Sequence, residues 1–398
     1  MSAYQETHRK LLPHLPLRPT ERAKSPEILG YKFVVVTDLE GPLLLGDTAL
    51  KSMSTYVRPE QANPQIDYGA VLFGETYNWF MENFYNKNLG QEGSDIVLTL
   101  PALLAMGVTD NNLLREARTS RRTPGSKEYI DFLRSRGALV IGVTTAWSAP
   151  HREIVKDLGL DGMVGTDFSL DDARQKLIES GQLETEMQLT GKFLSDCFQI
   201  ITNRETAQDN AEKDQLTQAL KEKIGRFFVE EIGVTWNSDG KMVPASPRDG
   251  YKTKLAEIMT SYRVVGDREK AKIAKALFEK YAPSGIPRIA IGDGFNDIRM
   301  LDCFSWSIGL NGAKAAGAAK IGVITNNVQI IGELIKLIQQ YPEPTKENVR
   351  KVVKIARSKL GHMGIIHLGG RFGCLSDQLI KWHKLAKNIM RQEAALLP

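Results

Sequence analysis

The sequence predicts an α/β fold built on a doubly wound parallel sheet, and three short passages carry that prediction. Each is an apolar, β-branched run that stops at an oxygen-bearing side chain. Phe33-Val34-Val35-Val36 ends just short of Asp38, the run Ala138 to Val143 ends at Thr144, and Arg288-Ile289-Ala290-Ile291 ends at Gly292-Asp293. Runs of this kind read as parallel strands covered by helices on both faces. Open α/β sheets bind ligands in the crevice beyond the carboxyl ends of their strands, so the three polar groups are expected to converge there.

Taken in order, residues 1–27 are rich in proline and charge without periodicity and read as an N-terminal arm. The core is expected over 28–46, 123–168 and 262–340. Residues 47–122 interrupt it with Tyr77-Asn78-Trp79-Phe80-Met81 and Leu100-Pro101-Ala102-Leu103-Leu104, whose large side chains recur at helical spacing. This predicts a helical cap after the first strand, with the aromatic cluster as its own core and substrate selection by closure. Pro124-Gly125-Ser126 returns to the core, and a helix over Lys127 to Ser135 leads into the second strand. A second insertion is expected over 169–261. There Ser169-Leu170-Asp171-Asp172 reads as a capped helix start, and Leu216, Leu220, Ile224, Phe227 and Phe228 keep helical spacing. It reads as a second cap or an oligomer contact.

Residues 341–398 read as a basic helical extension. From Pro344 to Pro398 there are eleven Lys or Arg against three Asp or Glu, although the whole chain carries only +5. Thr345 to Leu360 is amphipathic, with Val349, Val352, Val353, Ala356 and Leu360 on one stripe. Its charged side reads as a solvated face, with an acidic protein partner or an anionic substrate entrance as the alternative. Gly369-Gly370-Arg371-Phe372-Gly373 lacks a following Lys-Ser/Thr and reads as a loop.

Composition bounds the function. A chain of 398 residues is long for one domain, and 42% hydrophobic and 8% aromatic content are those of a globular protein. No uncharged apolar stretch reaches membrane-spanning length and the start is polar, so a cytoplasmic protein with no membrane contact is expected. The net charge is too small to argue for nucleic acid. Cys197, Cys303 and Cys374 lie far apart and form neither a metal-ligand nor a disulfide pattern.

The side chains at the strand ends suit phosphoryl transfer. A carboxylate such as Asp38 can attack phosphorus and form an aspartyl-phosphate, provided a cation suppresses its repulsion with the substrate. Mg²⁺ fits, because it takes oxygen ligands from one or two carboxylates plus the phosphate, and Asp293 supplies a second carboxylate. Thr144 and Lys270 add a hydroxyl and an ammonium. Thr145 competes with Thr144 for the first role, and Lys252 and Lys254 compete with Lys270 for the second. Asp38 and Glu40 are two apart in an extended or loop segment and can face one side.

The order Asp38-Leu39-Glu40-Gly41, Thr144, Lys270, Gly292-Asp293-Gly294-Phe295-Asn296-Asp297 resembles the haloacid dehalogenase (HAD) superfamily. Thr144 to Leu158-Gly159, then Val164-Gly165-Thr166-Asp167, and Lys270-Ala271-Lys272-Ile273-Ala274 resemble its phosphoserine phosphatase branch. The resemblance implies Asp38 as nucleophile and Mg²⁺ ligand, with Glu40 giving a carbonyl ligand and a side-chain acid/base. It further implies that Thr144 and Lys270 hold phosphoryl oxygens and that Asp293 is the other metal carboxylate. Asp297 would join the metal set or support it, and Gly41, Thr145 and Asn296 are candidate substrate contacts. Most HAD phosphatases have Asp where this chain has Glu40, but the phosphoserine:homoserine phosphotransferase branch also reads Asp-Leu-Glu-Gly. With Pro42 and Asp47-Thr48-Ala49, the run further resembles archaeal HAD proteins labelled as subunit R of an energy-converting hydrogenase.

The expected function is a Mg²⁺-dependent phosphatase or phosphotransferase for a small phosphorylated metabolite. The alternatives are a non-catalytic accessory subunit that binds protein, or a HAD enzyme of other chemistry such as a dehalogenase or phosphonatase.

Overall fold

The structure, a computed structural model, describes residues 31–395 apart from 249, 283, 304 and 342. The arm expected over 1–27 lies outside the described residues. The chain divides into two compact units, one comprising the chain up to Gly46, Thr119–Gly165 and Val265 onward, the other Asp47–Arg118 and Thr166–Val264.

The first unit is an α/β sandwich around a seven-stranded sheet. Its order is Ile365–Leu368, Ile321–Ile324, Trp306–Leu310, Arg288–Gly292, Phe33–Thr37, Ala138–Trp147, Gly162–Thr166. Parallel pairs run from Ala138–Trp147 across to Ile321–Ile324, and Ile365–Leu368 closes that edge antiparallel. The central strand explains the solid apolar run in the sequence. Phe33 and Val35 join one core cluster, with Tyr129, Ile130 and Leu133 of the helix Ser126–Ser135, while Val34 and Val36 join the other, with Ile273 and Leu277. Both faces of the strand are dry, so alternation is lost.

Register then sets the site. Thr37 lies opposite both Gly142 and Ile291, and the Asp38 N–H donates to the Ile291 carbonyl at 2.9 Å. Asp38 and Gly292-Asp293 therefore leave the sheet side by side. The second strand does not stop at Val143 but continues through Thr144 and Thr145 to Trp147, flanked on its outer side by Gly162–Thr166. Thr144 still lies beyond the last residue of the central strand, because Gly142 is already level with Thr37.

The segment expected to be a helical extension contributes to the sheet as well. Helix Lys346–Leu360 is capped by Thr345, whose hydroxyl accepts from the Asn348 N–H, and its whole apolar stripe from Val349 to Leu360 is buried. Ile365–Leu368 then forms the antiparallel edge strand. A four-residue strand is too short to show a period in the sequence.

The second unit draws on both segments that the sequence reading treats as separate insertions. Side-chain oxygens of Asp47, Asp67, Ser169 and Asp209 cap the helices Thr48–Tyr56, Tyr68–Asn83, Leu170–Glu179 and Asn210–Gly225. Trp79 stacks on Phe228 at 6.0 Å and meets Phe84 edge-on, Phe80 meets Trp236 at 4.9 Å, and Phe193 stacks on Phe227 at 3.9 Å. These rings come from both segments and share one core. Periodicity shows which face of a helix is buried but not what buries it.

One carboxylate in this unit is at odds with its surroundings. Asp95 is buried, its Oδ1 has no hydrogen-bond partner, and burial pushes its pKa up to about 7. The unfolded chain gives up this proton near pH 4, so stability falls as pH rises through that interval and stays low above it. Asp95→Asn is therefore expected to stabilise the protein at pH 8 by about 1–3 kcal/mol, with the gain shrinking as pH falls from 7 toward 4. Urea unfolding of both proteins at several pH values reads this directly, and a gain independent of pH would contradict it.

Candidate active site

Asp38, Asp293 and Asp297, from the ends of two neighbouring strands, meet Lys270 in a compact ion cluster within the first unit. Lys270, on the helix Asp267–Tyr281, is fully buried, and its Nζ lies 2.9 Å from Asp38 Oδ2 and 2.8 Å from Asp297 Oδ1. Lys252 and Lys254 belong to the other unit, where Lys252 donates to the Glu230 carbonyl and Lys254 pairs with Glu257 at 2.7 Å. Asp297 Oδ2 in turn accepts from the N–H groups of Asp293 and Gly294, at 3.0 and 2.9 Å. The loop after Arg288–Gly292 is thus pinned by its own last carboxylate.

Two glycines allow the close approach. Gly41 has φ +98°, and a Cβ there would sit 2.3 Å from Asp293 Cγ. A Cβ on Gly292 would sit 2.5 Å from Asp297. The Gly41 carbonyl accepts from Thr123 Oγ1 at 2.9 Å, which fixes the turn. Gly41 is brought to the site as backbone clearance for Asp293.

The threonine pair divides. Thr144 is buried and its hydroxyl accepts from the Ala146 N–H at 3.1 Å, leaving its own O–H as a donor. Thr145 Oγ1 donates to the Val265 carbonyl at 3.0 Å and accepts from Asn296 Nδ2 at 2.9 Å. Thr145 and Asn296 are therefore brought together as a tie between the second strand and the loop after Gly292.

Oxygen atoms of Asp38, Asp293 and Asp297 all lie within 4.8 Å of one another. Burial pushes the Asp38 carboxyl well above the usual carboxylate range, Asp297 and Asp293 push it further, and Lys270 only partly offsets them. Burial opposes charge on Lys270 too, but Asp297 and Asp38 outweigh it and hold the ammonium above its ordinary value. The three carboxylates share two ammonium groups, Lys270 and Lys387.

Two residues here have no counterpart in the sequence reading. His151, on the helix Ser148–Leu158, is fully buried, with Nδ1 at 2.7 Å from the Trp147 carbonyl and Nε2 at 3.7 Å from Glu40 Oε1. Burial lowers its pKa, so it is held neutral. Because the carbonyl must accept, Nδ1 carries the proton and Nε2 turns its lone pair toward Glu40. Lys387, on the helix Asp377–Ala395, places Nζ 2.8 Å from Asp293 Oδ2 and 3.1 Å from the Asp293 carbonyl. A histidine seven positions after Thr144 and one lysine of a basic tail give no signal in sequence.

No family model and no curated protein matches this chain. Among solved structures, gene product AF1437 from Archaeoglobus fulgidus superposes with a TM-score of 0.65 at 18% identity, over 92% of this chain and 99% of that one. A phospho-aspartyl intermediate analogue of phosphoserine phosphatase gives 0.40 at 14% identity, over 77% of this chain and 98% of that one. A substrate-bound phosphoserine phosphatase complex gives 0.41 at 13% identity, over 77% and 97%. The AF1437 likeness shows a shared fold, and the other two are too loose to bear on chemistry. No single helix among the described residues is long and apolar enough to cross a membrane.

Proposed function

We propose that this chain is a HAD-type, Mg²⁺-dependent phosphoric monoester hydrolase or phosphotransferase that acts on a small phosphorylated metabolite through phospho-Asp38. The observation that carries the reading is the buried Asp38–Lys270–Asp297 cluster with Asp293 beside it, assembled from two strand ends and the first turn of the helix Asp267–Tyr281. A dehalogenase needs no second metal carboxylate, and this surplus of buried negative charge suits a cation and a phosphate together.

In the first half-reaction an Asp38 oxygen forms a bond to phosphorus while the bond from phosphorus to the leaving oxygen breaks, and Glu40 gives that oxygen its proton. In the second, Glu40 takes a proton from water or an acceptor alcohol, whose oxygen attacks phosphorus and releases Asp38. Lys270 has three N–H donors and spends two on Asp38 and Asp297, leaving one for a phosphoryl oxygen beside the Thr144 hydroxyl. Held by Asp38, Asp293 and the Glu40 carbonyl, Mg²⁺ would screen the repulsion between carboxylate and phosphate. Asp297 acts through Lys270 and the Asp293 loop, its two oxygens being already engaged there.

Glu40→Gln is the test of that role. It is expected to slow alkyl phosphates by about 10²–10⁴-fold, and p-nitrophenyl phosphate far less, because that leaving group needs little protonation. Equal slowing of both in steady-state assays would move Glu40 from acid to positioning.

A further inference from the structure

The helix Asp377–Ala395 is attached in an unusual way. Among its described side chains only His383 and Met390 are buried, and the apolar Trp382, Leu385 and Ile389 are exposed. Three polar contacts hold this face. His383 Nε2 lies 2.8 Å from His367 Nε2 on the edge strand, Asn311 Nδ2 lies 2.7 Å from Met390 Sδ, and Lys387 grips Asp293. His383, Lys387 and Met390 stand four and three residues apart, on one face of the helix. By contrast, helix Lys346–Leu360 buries five apolar side chains.

The ammonium it delivers bears on the cation site. Lys387 engages one oxygen and the carbonyl of Asp293, the carboxylate that the proposed function gives to Mg²⁺. A divalent ion at the Asp38–Asp293 pair would meet a positive charge already seated on Asp293, a repulsion that weakens its binding even at the screening of water. The lysine side chain is 28% exposed, so it has a path into solvent when another cation takes its place.

We propose that Lys387 is a positioning residue that competes with the divalent cation for Asp293, so that docking of the C-terminal helix sets how tightly the site takes its metal. The inference rests on the metal reading above. With the helix docked, Lys387 stands in for part of the cation charge and orients Asp293. As the metal binds, the Lys387 contact loosens and the helix with it. The device needs a helix that is held specifically but weakly, which a few polar contacts in place of an apolar stripe provide.

The experiment measures Mn²⁺ and Mg²⁺ affinity of the full chain by calorimetry, with no substrate present. Lys387→Met is expected to tighten both by about tenfold or more, and Lys387→Arg, which keeps the charge, to stay within about threefold of the parent. His383→Ala, which loosens the helix and leaves the lysine in place, should shift affinity in the same direction as Lys387→Met. Amide exchange in 377–395 should quicken when Mn²⁺ saturates the parent protein. Unchanged or weaker binding in Lys387→Met, with Asp293→Asn still abolishing binding, would overturn this inference and leave the metal site standing. Binding insensitive to Asp293→Asn, or absent from every variant, would overturn both.

Discussion

Asp38→Asn is expected to lower turnover of any phosphate monoester by at least about 10³-fold while leaving the protein folded and no less stable. The two halves of that expectation have one cause. Asp38 is held in a dry position beside Asp297 and Asp293, and its carboxyl is pushed well above its ordinary range even with Lys270 at 2.9 Å. Its negative charge opposes folding, and an amide of the same shape removes that charge and keeps the Leu39 N–H acceptor, which Oδ1 now engages at 2.8 Å. Activity lost with a raised or unchanged melting temperature marks a nucleophile held against its own preference. A variant that loses activity because it melts lower would show Asp38 to be a structural group.

Lys270→Met is expected to have the largest effect on stability. It leaves Asp38 and Asp297 buried without their shared cation, and removing one partner of a buried ion pair costs about 3–5 kcal/mol. Turnover should vanish too, since the ammonium is the buried cation that contacts the nucleophile, at 2.9 Å. The double variant Lys270→Met with Asp297→Asn should recover part of the stability and none of the activity. The coupling between the two sites is read from the double-mutant cycle in denaturant. Additive losses would mean that the Lys270–Asp297 contact at 2.8 Å contributes little.

The parts of this site that were legible in the sequence are those imposed by the sheet. Asp38 and Asp293 follow runs that are apolar because both faces of their strands are buried, whereas Lys270 was singled out through the resemblance carried by Lys270-Ala271-Lys272-Ile273-Ala274. Thr144 was legible as a candidate for the site but not as part of a strand, since its strand continues to Trp147 beside an outer neighbour. Gly41 and Asn296 were legible as motif letters without their roles. The first is clearance for Asp293 and the second a tie to Thr145, and both depend on packing that no spacing encodes.

What stayed hidden involves contacts against the usual pattern. The helix bearing Lys387 turns His383 and Met390 inward and Trp382, Leu385 and Ile389 outward, so an amphipathicity argument would dock the wrong face. His151 reaches Glu40 from a helix whose other buried residues, such as Ile154 and Leu158, advertise ordinary core packing. The single aromatic core of the second unit was hidden for a related reason, because its halves lie more than a hundred residues apart, as Phe80 and Trp236 do.

The covalent intermediate is the claim on which the rest depends, and chemical trapping reaches it most directly. The full chain is mixed with Mg²⁺ and a labelled phosphate monoester panel, quenched in acid, reduced with borohydride and mapped by peptide mass. The account predicts an acid-stable label that needs Mg²⁺, converts to homoserine at position 38 on reduction, and is absent from Asp38→Asn. Rapid monoester turnover with no modification at position 38, or a label that forms equally well in EDTA, would contradict it.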